Sequence, residues 1–177
     1  MILREASLAD APAIAALHTA NWRQSYAGIL PDDYLASEIE ADRKAVWQER
    51  LSKTEAGRRT TVAEDEGGKL AGFSCVYFDH DPQWGAFLDN LHTSASARGK
   101  GYGLALLKDI ASRTVSHGAT AGLYLWVFEK NQTARAFYAR AGAQEVERTD
   151  TQWALAMGEW RLRCHWSADD LCALAAD

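Results

Sequence analysis

The stretch "ARGKGYG", residues 97–103, decides the fold of this chain, because it places three glycines at alternating positions between a strand and a helix. The run "AFLDNLHT" before it has the composition of a strand. After it, Leu107, Ile110 and Ala111 recur at helical spacing. A strand that ends in a glycine-rich turn and opens a helix presents unpaired backbone N–H groups at the positive end of the helix dipole. The stretch therefore predicts an anion site, with phosphate as its natural ligand.

Two well-known phosphate motifs do not fit this stretch. A P-loop requires G-x-x-x-x-G-K-[ST], but Lys100 is followed by Gly101 and not by a hydroxyl residue. The dinucleotide fingerprint G-x-G-x-x-G requires a glycine at position 104, where the chain has Leu104. The remaining pattern is R-G-x-G-x-G. On its own, this pattern also fits a purely structural turn.

A second motif, "NQTARAFYARAGA", follows the apolar strand "LYLWVF". Asn131 and Tyr138 lie seven residues apart, so on a helix they share nearly the same face and are positioned to flank one ligand. The alternative is a helix cap followed by an ordinary core aromatic residue.

The length, charge and cysteine content of the chain exclude several classes of function. The chain has 177 residues, of which 47% are hydrophobic, and this predicts one domain over residues 1–177. The net charge of −5 argues against a nucleic-acid partner. Three cysteines without a C-x-x-C pair give no metal or redox site. The start "MILREASLAD" lacks signal-peptide character, and no apolar run has membrane-spanning length, so we expect a cytoplasmic protein without a membrane partner.

The two motifs together, in this order, resemble the GCN5-related N-acetyltransferase (GNAT) superfamily. The first match is "LHTSASARGKGYGLALL", and the second is the N-x-x-A-x-x-F-Y helix formed by Asn131, Ala134, Phe137 and Tyr138. The segment "NWRQSYAGILPDDYL" looks like the connection between the first two helices of many small bacterial members. The resemblance implies a mixed, mostly antiparallel seven-stranded sheet flanked by helices. The order is β1-α1-α2-β2-β3-β4-α3-β5-α4-β6-β7, with a short C-terminal helix.

The resemblance also implies acetyl-coenzyme A as cosubstrate, without a metal. The glycine loop would hold the diphosphate through its N–H groups, with added charge from Arg98 and Lys100. The strand before the loop would pair with pantetheine, and Asn131 would orient that arm. The implied coenzyme residues are Leu91, Thr93, Arg98, Gly99, Lys100, Gly101, Tyr102, Gly103, Leu104, Asn131, Ala134 and Phe137.

In the family the acceptor amine attacks the thioester directly, which leaves two proton transfers for the enzyme. Tyr138 is our candidate for the acid that protonates the departing thiolate, since a phenol has a pKa of about 10 and is neutral at rest. The base is Asp89 or His92 on the strand before the loop, with Glu129 as a further carboxylate. These alternatives stay open, and a chain of water molecules is another.

Aromatic side chains are candidates for the wall of an acceptor pocket, because their faces suit a cationic amine. A small-molecule or peptide amine is the expected acceptor. A protein N-terminus, a protein lysine, or a non-catalytic role in binding acyl-coenzyme A are the alternatives. The final strand places two tryptophans on one face near a sheet edge, and incomplete cover of them by the terminal helix would favour a homodimer. The candidate acceptor residues are Trp22, Tyr26, Trp84, Trp153 and Trp160.

Overall fold

The computed structural model describes residues 1–118 and 120–176 of the chain. Its strands are β1 (Ile2–Glu5), β2 (Arg58–Glu64), β3 (Leu70–Asp81), β4 (Gly85–Thr93), β5 (Leu123–Phe128), β6 (Gln144–Asp150) and β7 (Trp160–Trp166). Its α-helices are α1 (Ala11–Ser25), α2 (Ile39–Ser52), α3 (Tyr102–Ser116), α4 (Gln132–Arg140) and α5 (Ala168–Ala176). Single helical turns of other types occur at Leu8–Asp10, Tyr34–Glu38, Ala95–Ala97 and Ala154–Ala156. The order confirms the predicted succession of elements.

The seven strands form one mixed sheet in the order β1-β2-β3-β4-β5-β7-β6. β4 and β5 are parallel, with Ala86 paired with Leu123 and Phe87 with Tyr124. β1 with β2, β5 with β7 and β6 with β7 are antiparallel. The predicted fold class, a mostly antiparallel seven-stranded sheet with flanking helices, is therefore confirmed.

The chain separates into two compact units by its internal contacts. The first unit comprises Met1–Cys75 and Asn90–Leu106, and the second comprises Val76–Asp89 and Leu107–Asp177. The first unit contains β1, β2, α1, α2 and the glycine loop, and the second contains β5, β6, β7, α4 and α5. The single domain over residues 1–177 stays a prediction.

Local side chains fix where several helices begin. Before α1, the Ser7 N–H donates to the Asp10 carboxylate at 2.7 Å. Before α5, Asp170 N–H donates to Ser167 Oγ at 3.2 Å while Ser167 N–H donates back to the Asp170 carboxylate at 2.9 Å. This reciprocal pair is a capping box, and it satisfies two N–H groups that the helix itself leaves unpaired.

Two of the three cysteines lie inside the sheet. Cys75 and Cys164 are buried, whereas Cys172 is exposed, and none of the three forms a disulfide bond within the residues that the structure describes. Burial raises the pKa of the Cys164 thiol to about 11, so this thiol is neutral at physiological pH. Cys164 therefore acts in packing and not in chemistry.

The last strand lies near a sheet edge, as the sequence predicted, because β7 pairs with the edge strand β6. The expectation that both of its tryptophans are incompletely covered is corrected. Trp166 is fully buried, and Trp160, which is 42% exposed, lies beneath the Arg148 guanidinium at 3.8 Å. A homodimer stays an untested prediction.

A close approach of backbone segments in the second unit predicts a large stability effect at Gly122. This residue has a φ of +96°, its carbonyl accepts from Ala86 N–H at 3.0 Å, and a Cβ there would clash with the Trp166 carbonyl oxygen. Gly122→Ala is therefore expected to lower the free energy of unfolding by about 3 kcal/mol. Chemical denaturation measures the change. Gly68→Ala is the control, because Gly68 has a φ of +74° with open space around it and should cost only about 1 kcal/mol.

Candidate functional site

The glycine loop occupies the connection between β4 and α3 in the first unit. Gly99 has a φ of +73° and Gly101 a φ of +85°, conformations that residues with side chains rarely adopt. A Cβ at either position would meet no protein atom within 4 Å. The glycines are therefore required by the backbone conformation, and the space beside them is open to a ligand.

Some backbone N–H groups of the loop donate to protein carbonyls, and others are available to a ligand. Lys100 N–H donates to the Ala97 carbonyl at 3.2 Å, and Ala105 N–H donates to the Gly101 carbonyl at 2.9 Å. Because α3 begins at Tyr102, the N–H groups of Tyr102, Gly103 and Leu104 have no acceptor within their own helix. The first turn of α3 thus supplies the donors and the positive dipole end that an anion needs.

The Arg98 side chain has a partner inside the protein. Its NH2 group donates to Asn21 Oδ1 at 3.0 Å, and Asn21 Nδ2 donates to the Thr93 carbonyl at 3.0 Å. Arg98 is thereby joined to α1 and to the end of β4. Lys100 is exposed on the loop. Of the two basic residues in the motif, Lys100 is thus the one for which no side-chain partner is recorded among the described residues.

Two histidines pack together in the first unit. The His18 and His92 rings have centroids 4.6 Å apart, and Phe73 lies 5.2 Å from His92. Trp47 Nε1 donates to His18 Nδ1 at 2.9 Å, so the proton of neutral His18 is on Nε2. No group in the described part of the chain accepts from that Nε2. We call His18, Trp22, Trp47, Phe73 and His92 the histidine cluster.

Both histidines of the cluster are held neutral. Burial lowers the pKa of His92 to about 4, and the positive charge of Arg43 acts in the same direction. Burial is also the main reason that the pKa of His18 lies well below its usual value of 6.5, with smaller contributions from His92, Arg43 and Arg50. At neutral pH the His92 imidazole therefore has a free lone pair.

These shifts predict that the protein loses stability in mild acid. The unfolded chain binds a proton at each histidine below pH 6.5, while the folded chain resists protonation of His92 down to about pH 4. Stability is thus complete above pH 6.5 and falls as the pH falls toward 4, by at most about 1.4 kcal/mol per pH unit for each histidine. The partial exposure of His92 reduces its share. Denaturant unfolding at several pH values should show this slope, and His92→Gln should make it shallower; equal slopes would contradict the assignment.

Helix α4 of the second unit carries the second motif. Asn131 Oδ1 accepts from Ala134 N–H at 3.2 Å, which confirms the predicted helix cap. The half-buried Tyr138 ring lies edge-on to Trp166, with centroids 5.9 Å apart. Trp166 Nε1 in turn donates to the Ala141 carbonyl at 2.8 Å. The tyrosine ring is thus held by a fully buried tryptophan that is fixed to the end of the same helix.

The carboxylate candidates in the second unit differ in their surroundings. Glu129 accepts two hydrogen bonds from Arg148, at 2.8 Å and 2.9 Å, and these lower the pKa of its carboxyl group. Both carboxylate oxygens of Glu129 are thus engaged by one guanidinium. Asp89 lies on β4 in the second unit and is half-buried, whereas His92 lies in the first unit.

The candidate acceptor residues are distributed over both units. In the first unit, Trp22 lies 4.8 Å from His18 and 5.2 Å from Tyr26, so these two candidates adjoin the histidine cluster. In the second unit, the Trp84 ring lies beneath the Arg163 guanidinium at 4.6 Å, and Trp153 is 37% exposed. Trp22 and Tyr26 are therefore the candidates on the side of His18, whereas the Trp84 ring lies 5.4 Å from that of His165.

Sequence reasoning missed three polar residues of the first unit, namely His18, Asn21 and Arg43. His18 and Asn21 are buried, and the Arg43 guanidinium lies 4.4 Å from the Trp22 ring. His18 and Asn21 lie four and seven residues after the buried Ile14, so they fall on the buried face of α1. The signal in the sequence was a polar residue at a helix position where the periodicity predicts an apolar one.

A sequence model described as the Acetyltransferase (GNAT) family matches residues 16–143, which include the glycine loop, the histidine cluster and α4. The chain belongs to this family. It is accordingly a GNAT-type N-acetyltransferase by family, as its sequence motifs predicted.

Similar proteins agree with this assignment. The protein named "Uncharacterized N-acetyltransferase YuaI" of Bacillus subtilis is 32% identical over 131 residues, which are 73% of this chain and 72% of that protein. "Probable N-acetyltransferase Rv2775" of Mycobacterium tuberculosis is 30% identical over 78% of this chain and 76% of its own length. The structure of PaiA N-acetyltransferase from Thermoplasma acidophilum in complex with coenzyme A is similar in fold. Its TM-score is 0.73 at 19% identity, covering 93% of this chain and 98% of that one.

Two further features of the structure are the character of its helices and the placement of its possible metal ligands. None of the helices within residues 1–118 and 120–176 combines the length and apolar character needed to cross a membrane. The same residues contain no group of three or more histidine, cysteine, aspartate or glutamate side chains arranged to hold a metal ion.

Proposed function

We propose that this enzyme transfers the acetyl group of acetyl-coenzyme A to a primary amine of a small molecule or peptide, in a ternary complex. The observation that carries the proposal is the glycine loop at the start of α3. Gly99 and Gly101 hold positive φ values beside open space, and the first helical turn supplies unpaired N–H groups. The PaiA neighbour, whose structure contains coenzyme A, supports the choice of ligand.

The proposed contacts to coenzyme A use the hydrogen-bond donors that the protein itself does not occupy. The N–H groups of residues 101–104 would hold the diphosphate, while Lys100 would contribute its side-chain charge because its own N–H donates to Ala97. The strand residues Leu91 and Thr93 are the proposed partners of pantetheine. On α4, Asn131 uses its side-chain oxygen in the cap, so its Nδ2 group is the proposed contact to the pantetheine arm.

The proposed reaction is a direct displacement. The amine lone pair attacks the thioester carbonyl carbon, which forms the C–N bond and a tetrahedral intermediate; collapse of this intermediate breaks the C–S bond and expels the thiolate. Tyr138 donates its phenolic proton to the thiolate sulfur, and a base removes the extra proton from the nitrogen. This role of Tyr138 rests on the family motif on α4.

We propose His92 as the base in preference to Asp89. The His92 imidazole is neutral at pH 7, and it is partly exposed. It packs against His18, whose ring in turn lies 4.8 Å from that of Trp22. A base with this pKa predicts that kcat/KM keeps its value through pH 6.5 and declines only toward pH 4. An acidic limb near pH 6.5 that disappears in His92→Gln would show that the pKa is not depressed.

The proposed acceptor residues of the first unit are Trp22 and Tyr26. Trp84 and Trp153 of the second unit are separate candidates. We place the enzyme in the cytoplasm, since cysteines that form no disulfide bond are typical of a reducing compartment.

A paired screen tests the proposed function. Thermal shift with coenzyme A and acetyl-coenzyme A measures binding, and release of the coenzyme thiol measures transfer to a panel of small amines, polyamines and peptides. We expect stabilisation by both coenzyme forms and amine-dependent thiol release. Stabilisation with no thiol release from any amine would favour a non-catalytic acyl-coenzyme A binding role. Release only with peptides would identify a protein or peptide acetyltransferase.

A further inference from the structure

Asn21 connects two parts of the candidate coenzyme site. It lies on α1, is only 7% exposed, and uses both ends of its side-chain amide. Nδ2 donates to the Thr93 carbonyl at 3.0 Å, and Oδ1 accepts from Arg98 NH2 at 3.0 Å. The amide orientation is fixed by its partners, because a carbonyl only accepts and a guanidinium only donates.

The two partners of Asn21 lie at opposite ends of the segment that joins β4 to the glycine loop. Thr93 is the last residue of β4, and Arg98 is the residue before the first glycine of the loop. A single buried amide therefore spans the segment that leads from the strand to the glycine loop. Arg98 is exposed apart from this contact, and without Asn21 its long side chain would have many rotamers.

We propose that Asn21 is a positioning residue for coenzyme A binding, which acts through Thr93 and Arg98 to hold the glycine loop in its anion-binding conformation. The inference rests on the proposed function. It gives Arg98 a role different from that expected from sequence: its guanidinium orders the loop through Asn21 instead of neutralising the diphosphate. It also joins the coenzyme loop to the helix that carries Trp22, next to the candidate acceptor region.

Isothermal titration with coenzyme A tests the proposal. Asn21→Ala removes both hydrogen bonds and is expected to weaken coenzyme A binding about tenfold. The KM for acetyl-coenzyme A should rise by a similar factor while kcat changes little. Asn21→Asp keeps a partner for Arg98 but places a carboxylate oxygen against the Thr93 carbonyl, so we expect weakened binding there too. Gln24→Ala is the matched control on the exposed face of α1 and should bind as the parent does.

A double-variant cycle with Arg98→Leu separates positioning from charge. If Arg98 acts through Asn21, adding Arg98→Leu to Asn21→Ala should weaken binding little further. The salt dependence of binding should also stay unchanged in Arg98→Leu and decrease in Lys100→Ala. If Asn21→Ala does not fold, the salt dependence of Arg98→Leu still decides the question.

Each outcome has a distinct meaning. Failure of the parent to bind coenzyme A would overturn the proposed function, and this inference with it. Binding by the parent together with equal binding by Asn21→Ala would overturn the inference alone. Additive losses from Asn21→Ala and Arg98→Leu, or a reduced salt dependence in Arg98→Leu, would show that Arg98 contacts the diphosphate as a charge.

Discussion

Gly101→Val is expected to weaken coenzyme A binding roughly 100-fold or more, which is about 2.7 kcal/mol. Gly101 has a φ of +85°, where a β-branched residue is strongly disfavoured. A Cβ at this position would meet no protein atom within 4 Å, so the new side chain would occupy the volume in which we place the diphosphate. Isothermal titration with coenzyme A measures the loss, and a thermal melt shows whether the variant is folded.

Gly118→Val is the matched control for Gly101→Val. Gly118 has a φ of +84° and open space around it, so the two substitutions carry the same backbone strain. It follows α3 at the end opposite to the glycine loop, and we expect it to reduce stability without reducing coenzyme A binding. If the two variants bind coenzyme A equally well, the loop is only a structural turn.

Tyr138→Phe is expected to lower kcat by about 10²–10⁴-fold, the usual contribution of a positioned general acid. The substitution keeps the ring that packs edge-on against Trp166 and removes only the hydroxyl group. The KM for acetyl-coenzyme A should change little, because the phenol acts on the departing sulfur and not on the bound diphosphate. Steady-state kinetics at saturating acetyl-coenzyme A, with protein concentration corrected for folded molecules, measures the change.

Tyr124→Phe is the control for loss of a tyrosine hydroxyl. The Tyr124 ring is buried and its hydroxyl lies 2.7 Å from His80 Nδ1, so its removal should cost about 1 kcal/mol of stability. Its kcat should equal that of the parent. Parental turnover in Tyr138→Phe, under conditions where the chemical step limits the rate, would exclude Tyr138 as the acid.

Local patterns in the sequence predicted individual elements, whereas the seven-stranded sheet followed from the family resemblance. The glycine loop separated β4 from α3. In β7, Leu162, Cys164 and Trp166 are buried at alternate positions, as in a strand with one face in the core. The glycine stops and polar caps are local signals, because each depends on residues within one turn of helix. These signals also predicted the cap at Asn131.

Long-range contacts were beyond the sequence pattern. Trp166 is fully buried and its Nε1 donates to the Ala141 carbonyl, 25 positions away, which corrected the expectation that both tryptophans of β7 are incompletely covered. The Asn21 contacts join residues 72 and 77 positions apart, and the His18 contact with Trp47 spans 29 positions. A polar residue can be buried at such a contact because a distant residue forms a hydrogen bond with it. Helical periodicity does not identify that distant residue.

Transfer of an isotopically labelled acetyl group tests the central claim most directly. The enzyme is incubated with acetyl-coenzyme A labelled with ¹³C in its acetyl group and with the amine panel, and the products are analysed by mass spectrometry. We predict label on the nitrogen of an amine, in an amount equal to the coenzyme thiol released, and loss of this transfer in Gly101→Val. Tight binding of coenzyme A by the parent, with no label on any small amine, polyamine or peptide, would contradict the account.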